Sequence, residues 1–290
     1  SKIAFARGSS RRHRIPWSLQ VSPWMAAACT THGPTVKHGG TWTGSAAGHS
    51  ISFVRRMMLQ AWFAGAALIT PENSINSYFD VLPAPGSPGV LSPHGAMGRD
   101  VNRFITTHPR GTPYIPVLVI IDQHAGYSNI PCNWSGVRWG IFSENSQAAE
   151  TRHLNDTAVP VNILQVLFEG QLFPKAGRGE LPNTVEDGQL RPTPFGELVD
   201  VGLSDTPAPV LAAYKSILLA GGDIDFSRVS LEGGTTLATE LATALSMAPD
   251  LKLLVQPYHV DALQKVGGLT ALNATGRLEV LDSPGVAISN

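Results

Sequence analysis

Charge is scarce in this sequence, and its two signs nearly cancel. Charged residues make up 15% of the 290 residues, and 21 lysines and arginines stand against 22 aspartates and glutamates. A chain without a basic excess lacks the electrostatic footprint of polyanion-binding proteins. The one basic cluster, "RRHR" at 11–14, is short and isolated. We therefore expect no nucleic-acid partner.

Long apolar runs and cysteines are also scarce. No uninterrupted apolar run reaches the roughly 18 residues that a membrane-spanning helix needs, so we expect no such helix. The two cysteines, Cys29 and Cys132, match no metal-ligand spacing. Whether they pair stays open, because a sequence alone does not establish a disulfide.

The start of the chain and three of its asparagines are relevant to the localisation of the protein. The chain begins "SKIAFARGSS", with no initiator methionine and no signal-peptide pattern, so we expect a processed, trimmed or incomplete chain. N-x-S/T sequons at Asn133, Asn155 and Asn273 favour a secreted glycoprotein. The predicted location is therefore extracellular.

Apolar runs alternate with helical patterns along the chain. The runs show little polar alternation, which is typical of strands covered on both faces of a parallel sheet. The predicted strands are 16–22, 66–70, 115–122, 215–220 and 251–256, with shorter ones near 197–201 and 277–281. The predicted helices are 48–65, 93–107, 207–214 and 236–247. This alternation predicts an α/β fold.

The pattern divides into two predicted domains. Residues 1–110 hold two clear strand–helix units, too few to close a barrel and marginal as an open sheet. Residues 111–290 hold enough strands for a doubly wound domain. The segment 170–196 inside it is rich in proline and glycine and has no periodicity, so we expect a long insertion there.

The serial order of motifs resembles a known family. "AGAALITPENS" is followed by a helix, by "TPYIPVLVIIDQHAGY", by "PTPFGELVDVGLSD" and by "LAAYKSILLAGGDIDFSRVSLEGGTTLATEL". This order is similar to that of the C-terminal part of the barrel-type glycoside hydrolases related to the large β-galactosidases. The resemblance covers 60–265 approximately, and no single motif in it is specific.

The resemblance implies both a fold and an activity. Residues 1–110 would be the last units of a (β/α)8 barrel, and 111–290 a flavodoxin-like, glutamine-amidotransferase-like domain, which in that family often helps to build trimers. The implied protein is carbohydrate-active and acts on an extracellular poly- or oligosaccharide by carboxylate acid/base chemistry. The alternative is a non-catalytic extracellular structural or assembly protein that retains the glycosidase fold.

The resemblance also implies that the general acid/base lies outside residues 1–110. The general acid/base of that family lies on an earlier barrel strand, which the two units in 1–110 do not include. We therefore expect a homo-oligomer or a partner chain that completes the barrel, unless the chain is a fragment or has lost catalysis.

Glu72 is the candidate catalytic residue. It follows the run 66–70 in "AALITPENS", and the C-terminal ends of barrel strands carry the active site. A retaining glycosidase needs two carboxyl groups about 5–5.5 Å apart. If 66–70 is the seventh strand, Glu72 is nucleophile-like. If it is the eighth, Glu72 is a sugar-binding residue, and the seventh strand ends with Gln20. A helix N-cap or turn carboxylate is the third interpretation.

Three residues around the first predicted loop are candidate sugar contacts. Trp24 comes soon after the first strand, and Trp42 and His49 lie at the two ends of "TWTGSAAGHS". The flat apolar face of an indole suits stacking on the C–H groups of a sugar. A buried loop anchor is the structural alternative for each tryptophan.

Three more candidates follow the strand 115–122. Asp122 and His124 flank its end, and an aspartate can orient an imidazole as a base. Residues two apart on a strand also share a face without touching, which is the structural alternative. Trp134 lies in the irregular segment that comes next and is a further candidate sugar contact.

No cofactor or metal is expected. His94, His108 and His124 match no ligand spacing. The glycine-rich "LLAGGDID" lacks the G-x-G-x-x-G and P-loop patterns, and neither cysteine lies in the G-x-C-x-G elbow of an active amidotransferase. We interpret "LLAGGDID" and "EGGTT" as turns between strands and helices.

Overall fold

The computed structural model belongs to the mixed α/β class. A five-stranded parallel sheet is its largest unit, and a parallel pair of strands precedes that sheet along the chain. The predicted α/β class is confirmed at this level. The residues that the structure describes are 2–21, 51–71, 78–122, 133–134, 137–138, 198–220, 224–229, 234–267 and 269–281.

The first part of the described chain contains two parallel strands and three helices. In order, its elements are helix α1 (Lys2–His13), strand β1 (Ser18–Val21), helix α2 (Ile51–Phe63), strand β2 (Leu68–Pro71), the hairpin strands β3 (Phe79–Val81) and β4 (Val90–Leu91), and helix α3 (Pro93–Thr107). β1 and β2 pair in parallel, from Ser18 opposite Leu68 to Val21 opposite Pro71. The two strands therefore end level with each other.

The parallel pair is covered on one face and open on the other. Leu19 and Ile69 pack against a cluster that draws on α2 and α3, whose buried members are Val21, Val54, Met58, Met97 and Val101. On the opposite face Gln20 and Thr70 are exposed, and Leu68 is 61% exposed. Parallel strands are usually covered on both faces, so this open face is unusual.

The second part of the described chain forms the five-stranded sheet. Its elements are β5 (Val117–Ile121), the short pair β6 (Asn133–Trp134) and β7 (Val137–Arg138), β8 (Val199–Leu203), α4 (Ala208–Leu211), β9 (Ser216–Leu219), α5 (Leu237–Met247), β10 (Lys252–Val255), α6 (Pro257–Lys265), α7 (Leu269–Asn273) and β11 (Leu278–Val280). The spatial order is β11-β10-β9-β5-β8, and every neighbouring pair is parallel.

The sheet grows in two directions from its first strand. Along the chain, β8 is added on one side of β5, and β9, β10 and β11 are added successively on the other side. Read from β8 across the sheet, the strands are second, first, third, fourth and fifth in chain order. The direction of growth therefore reverses at the gap between β5 and β9.

Helices cover both faces of the five-stranded sheet. Leu118 and Ile120 of β5 join a core that includes residues of α4, α5, α6 and α7, whereas Val119 and Ile121 join a core that includes Ala4 of α1. All four β5 side chains are at most 1% exposed. A strand buried on both faces must be apolar throughout, which explains the uninterrupted run "VLVII".

Helix α1 contacts both parts of the chain. Ala4 packs in the core beside β8, and Ala6 packs against the cluster of Trp17. Gly8 lies directly on β8, where a Cβ atom would overlap the carbonyl oxygen of Val201. Arg14, with φ of 53°, ends the helix in the left-handed conformation that is common after a helix C-terminus. α1 therefore joins the parallel pair to the larger sheet.

Each strand predicted from the sequence has a counterpart in the structure, and so do the four predicted helices. α1, α6, α7, the β3–β4 hairpin and the short β6–β7 pair were not predicted from the sequence. The insertion 170–196 lies outside the described residues, and the boundary near residue 110 stays a prediction. Among the helices that the structure describes, none is long and apolar enough to cross a membrane.

Two tyrosines, the partly buried Tyr78 and the fully buried Tyr214, are shielded from solvent enough to resist ionisation. Burial raises the pKa of Tyr78 to about 12. Burial, and next the Asp200 carboxylate, raise the pKa of Tyr214 well above its ordinary value. Because both folded pKa values exceed the unfolded value of about 10, the stability that these phenols contribute is complete below about pH 10 and is lost as the pH rises further.

An alkaline titration followed by phenolate absorbance checks this prediction. We expect at least two of the five tyrosines to remain protonated at about pH 11 while the protein stays folded. Tyr78→Phe is expected to remove one of the late-titrating groups. Complete ionisation of the folded protein at about pH 11 would contradict the burial of both side chains.

Candidate functional site

The carboxyl edge of the five-stranded sheet carries a polar cluster where the strand order reverses. Asp122 directly follows β5, Ser204 directly follows β8, and Asp225 and Arg228 come after β9. In open parallel sheets, ligands usually bind outside the carboxyl ends of the strands at this reversal. We call Asp122, Ser204, Asp225 and Arg228 the switch-point cluster.

Asp122 is the buried centre of the cluster, at 2% exposure. Nη1 of Arg228 donates to Oδ1 at 3.0 Å and to Oδ2 at 3.2 Å. Oδ2 also accepts from the backbone N–H of Asp225 at 3.3 Å and from the Ser204 hydroxyl at 3.4 Å. A buried carboxylate is tolerated when it is paired in this way, and the contacts anchor 224–229 to the sheet edge.

The solvent side of the cluster consists of Arg228 and Asp225. Their side chains are 33% and 42% exposed, and Nη2 of Arg228 lies 3.7 Å from Oδ2 of Asp225, too far for a direct hydrogen bond. Oδ1 of Asp225 accepts from the Ser227 hydroxyl at 2.6 Å and from the Ser227 backbone N–H at 3.0 Å. These hydrogen bonds, together with nearby Arg228, lower the pKa of Asp225.

The switch-point cluster carries a net negative charge. Asp122 and Asp225 contribute two carboxylates, and Arg228 contributes one guanidinium. One positive and two negative charges leave a sum of −1. An anionic group such as a phosphate would meet net repulsion here, whereas a neutral group with hydroxyls would find both hydrogen-bond donors and acceptors.

A second buried carboxylate fastens α1 to β8. Asp200 is fully buried, and Nε of Arg7 donates to its Oδ1 at 2.5 Å. The Tyr214 hydroxyl donates to Oδ2 at 2.9 Å, and Nη1 of Arg11 lies 3.3 Å from the same oxygen. These partners come from α1 and from the residue that precedes β9 by two positions, so the network holds the structure together rather than opening to a ligand.

The level ends of β1 and β2 form the other strand edge of interest. Val21 and Pro71 are opposite each other at the carboxyl end of the parallel pair, and Glu72 is the next residue in the chain after Pro71.

Ser92 caps the N-terminus of α3 by accepting from the N–H of Gly95 at 3.1 Å, and the neighbouring His94 is buried.

The structure describes the side chain of one predicted site residue, Asp122. It lies at the end of β5, as predicted, and its described partners include Arg228. Of Trp134 the structure describes the backbone, which pairs with Val137 in a short hairpin. The roles predicted for these residues stay predictions. The other predicted site residues lie outside the described part of the chain: Trp24, Trp42, His49, Glu72 and His124.

The histidines considered as metal ligands do not converge where they are described. His94 and His108 lie at opposite ends of α3, about 20 Å apart from the helical rise per residue. His124 lies outside the described residues. Within the ranges that the structure describes, no group of three or more His, Cys, Asp or Glu residues could hold a metal ion.

Sequence reasoning missed the partners of both buried carboxylates. Asp225 ends "LLAGGDID", which was interpreted as a turn, and Arg228 lies three residues farther along the chain. Arg11 belongs to "RRHR" and contacts Asp200. One signal was available for Asp200, because a lone acidic residue inside the apolar run "LVDVGL" must find a cationic or hydrogen-bonding partner when that strand is buried.

No protein-family model matches the chain, and no match was found among curated proteins or among solved structures.

Proposed function

We propose that this chain is a carbohydrate-active protein that acts on an extracellular poly- or oligosaccharide, in the manner of the barrel glycoside hydrolases. The observation that carries the proposal is the parallel pairing of β1 with β2. The two strands are connected through α2 and end level at Val21 and Pro71. Consecutive parallel strands linked by a helix are the repeating unit of a (β/α)8 barrel.

In this proposal Glu72 supplies one of two catalytic carboxyl groups. It follows Pro71 in the chain, at the end of the strand where barrel enzymes carry their active sites. Its carboxylate would attack the anomeric carbon while the glycosidic C–O bond breaks, and water would then release the sugar from the ester. The general acid/base is proposed to come from a strand other than β1 and β2.

The five-stranded sheet supports the second half of the proposal, a flavodoxin-like domain after the barrel units. Its strands lie in the order 2-1-3-4-5, which is the order of flavodoxin-like folds. The succession of two β/α units and a sheet of this order agrees with the resemblance inferred from the motifs. The sequons at Asn133, Asn155 and Asn273 support an extracellular location for the proposed protein.

A second candidate function is a non-catalytic structural or assembly protein. Exposed apolar residues favour it: Leu68 on the open face of the β1–β2 pair is 61% exposed, and Val81 and Val90 of the separate β3–β4 hairpin are each 54% exposed. A homo-oligomer or a partner chain would cover such apolar surface. Light scattering after size exclusion separates the candidates: stable assembly without sugar turnover supports this one, and a clean monomer counts against it.

Hydrolysis of activated aryl glycosides tests the catalytic proposal. A 2,4-dinitrophenyl leaving group departs without an acid catalyst, so the nucleophile alone should release dinitrophenol in a burst, whereas continued turnover also needs the general base. We expect the full chain to release dinitrophenol from a β-galactoside or β-glucoside, and Glu72→Gln to slow release by about 10³-fold or more. Glu279→Gln, at an exposed residue of β11, is the matched control. Equal rates for the two variants would overturn the role of Glu72.

A further inference from the structure

The switch-point cluster has the architecture of a second ligand site, separate from Glu72. It lies at the gap between β5 and β9, where the strand order reverses: β8 neighbours β5 on one flank, and β10 neighbours β9 on the other. Open parallel sheets usually bind small molecules at this position, outside the carboxyl ends of the strands. Asp122 is the buried member of the cluster, and the side chains of Arg228 and Asp225, which we call the rim, are partly exposed.

The pairing inside the cluster leaves hydrogen-bonding capacity at the rim. A guanidinium carries five N–H donors on three nitrogens, and Nη1 of Arg228 is the nitrogen that donates to Asp122. Nη2 points toward Oδ2 of Asp225 without reaching hydrogen-bond distance. Ser227 bonds the other carboxylate oxygen, Oδ1. The rim therefore presents a donor and an acceptor 3.7 Å apart.

This spacing suits a ligand with adjacent hydroxyl groups. One hydroxyl can accept from Nη2 of Arg228, while its neighbour donates to Oδ2 of Asp225. A hydroxyl group both donates and accepts, so it can satisfy either partner. A carboxylate or phosphate can accept from Arg228 but would repel Asp225, and the cluster as a whole is negative.

We propose that the switch-point cluster binds a neutral sugar through vicinal hydroxyls, with Arg228 as the donor and Asp225 as the acceptor. Asp122 and Ser204 are positioning residues in this site, because they hold the Arg228 guanidinium and 224–229 in place. The site does not depend on Glu72 and goes beyond the proposed hydrolytic activity. It would hold a sugar without cleaving it.

Calorimetric titration of the full chain tests the proposal with defined probes. The probes are methyl β-D-galactoside, methyl β-D-glucoside and methyl β-D-xyloside, with flavin mononucleotide as an anionic comparison. We expect at least one sugar to bind in the millimolar range and flavin mononucleotide to show no binding. Absence of binding by all three sugars, or saturable flavin mononucleotide binding that Arg228→Gln removes, would overturn the proposal.

Variants assign the binding to the cluster. Asp225→Asn keeps the Asp122–Arg228 ion pair and removes the acceptor charge, so we expect at least tenfold weaker sugar binding in a folded protein. Arg228→Gln should weaken binding at least as much. Arg99→Gln is the matched control, because Arg99 pairs with Asp100 at an exposed position on α3.

Glu72→Gln separates this site from the proposed catalytic one. We expect Glu72→Gln to bind the sugar with unchanged affinity while losing turnover of the aryl glycoside. If Asp225→Asn binds as well as the unmodified chain and Glu72→Gln does not bind, the sugar occupies the other site. That result would refute the switch-point proposal and support the hydrolytic one.

Discussion

Replacing Asp200 by alanine is expected to lower the free energy of unfolding by about 3–5 kcal/mol. The carboxylate is fully buried and takes contacts from Arg7, Arg11 and Tyr214. Its removal would leave the Arg7 guanidinium, at 3% exposure, without the countercharge that makes its burial tolerable. Equilibrium unfolding in urea, followed by circular dichroism, measures the change.

Asp100→Ala is the matched control for Asp200→Ala. Asp100 also pairs with an arginine, Arg99, but both side chains are mostly exposed and solvent screens their attraction. We expect a change within about 0.5 kcal/mol for this surface pair. A loss below about 1 kcal/mol for Asp200→Ala would show that the network is not buried in solution.

Gly8→Ala is expected to destabilise the protein by about 2–3 kcal/mol, although alanine is the better helix former. A Cβ at this position would overlap the backbone of Val201 in β8, which cannot rotate away as a side chain could. α1 would have to move off the strand and weaken the contact between Arg7 and Asp200. Because intrinsic propensity alone predicts stabilisation by about 1 kcal/mol, the sign of the effect is diagnostic.

Two comparisons sharpen the Gly8 experiment. Ser9→Ala, at the exposed neighbouring position, should change the free energy of unfolding by less than about 0.5 kcal/mol. Combining Gly8→Ala with Asp200→Ala should give less than the sum of the single effects, because both disrupt the same contact of α1 with β8. Stabilisation by Gly8→Ala would mean that the helix does not rest on β8.

The parts of the fold that could be predicted from sequence are those with a local signal. β5 and β9 are buried on both faces, so they appear as the short apolar runs "VLVII" and "SILL". α5 begins with the N-cap Thr236, which accepts from the N–H of Thr239, and it shows regular apolar spacing. Burial on both faces gives a run of apolar residues, and capping places a characteristic residue at the start of a helix. Both can be recognised in the local sequence.

The elements that escaped prediction depend on distant partners. α1, with the sequence "KIAFARGSSRRH", contains glycine and two serines, which are weak helix formers. Its contacts with Val201 and Asp200 are almost two hundred residues away in the chain, as the 193-residue separation of Arg7 and Asp200 shows. The β3–β4 hairpin surrounds "PAPGSPG", whose prolines and glycines predict a loop rather than strands.

In the candidate site, too, one residue has a local sequence signal and its partner does not. Asp122 was found because it stands at the end of a recognisable strand. Arg228 was not found because it is 106 residues farther along the chain, and the alignment of two strand ends in space brings it to Asp122. A local motif shows which residue follows a strand. The residues that this residue contacts at the sheet edge depend on the order of the strands, and strand order is a long-range property.

Covalent labelling of Glu72 tests the proposed function most directly. The full chain would be incubated with 2,4-dinitrophenyl 2-deoxy-2-fluoro-β-galactoside and the matching glucoside, whose fluorine slows release of the sugar from the enzyme ester. Intact-mass and peptide mass spectrometry then locate the adduct. The proposal predicts one fluorosugar on Glu72, present in Glu279→Gln and absent from Glu72→Gln. No adduct with either reagent, or an adduct confined to another residue, would contradict it.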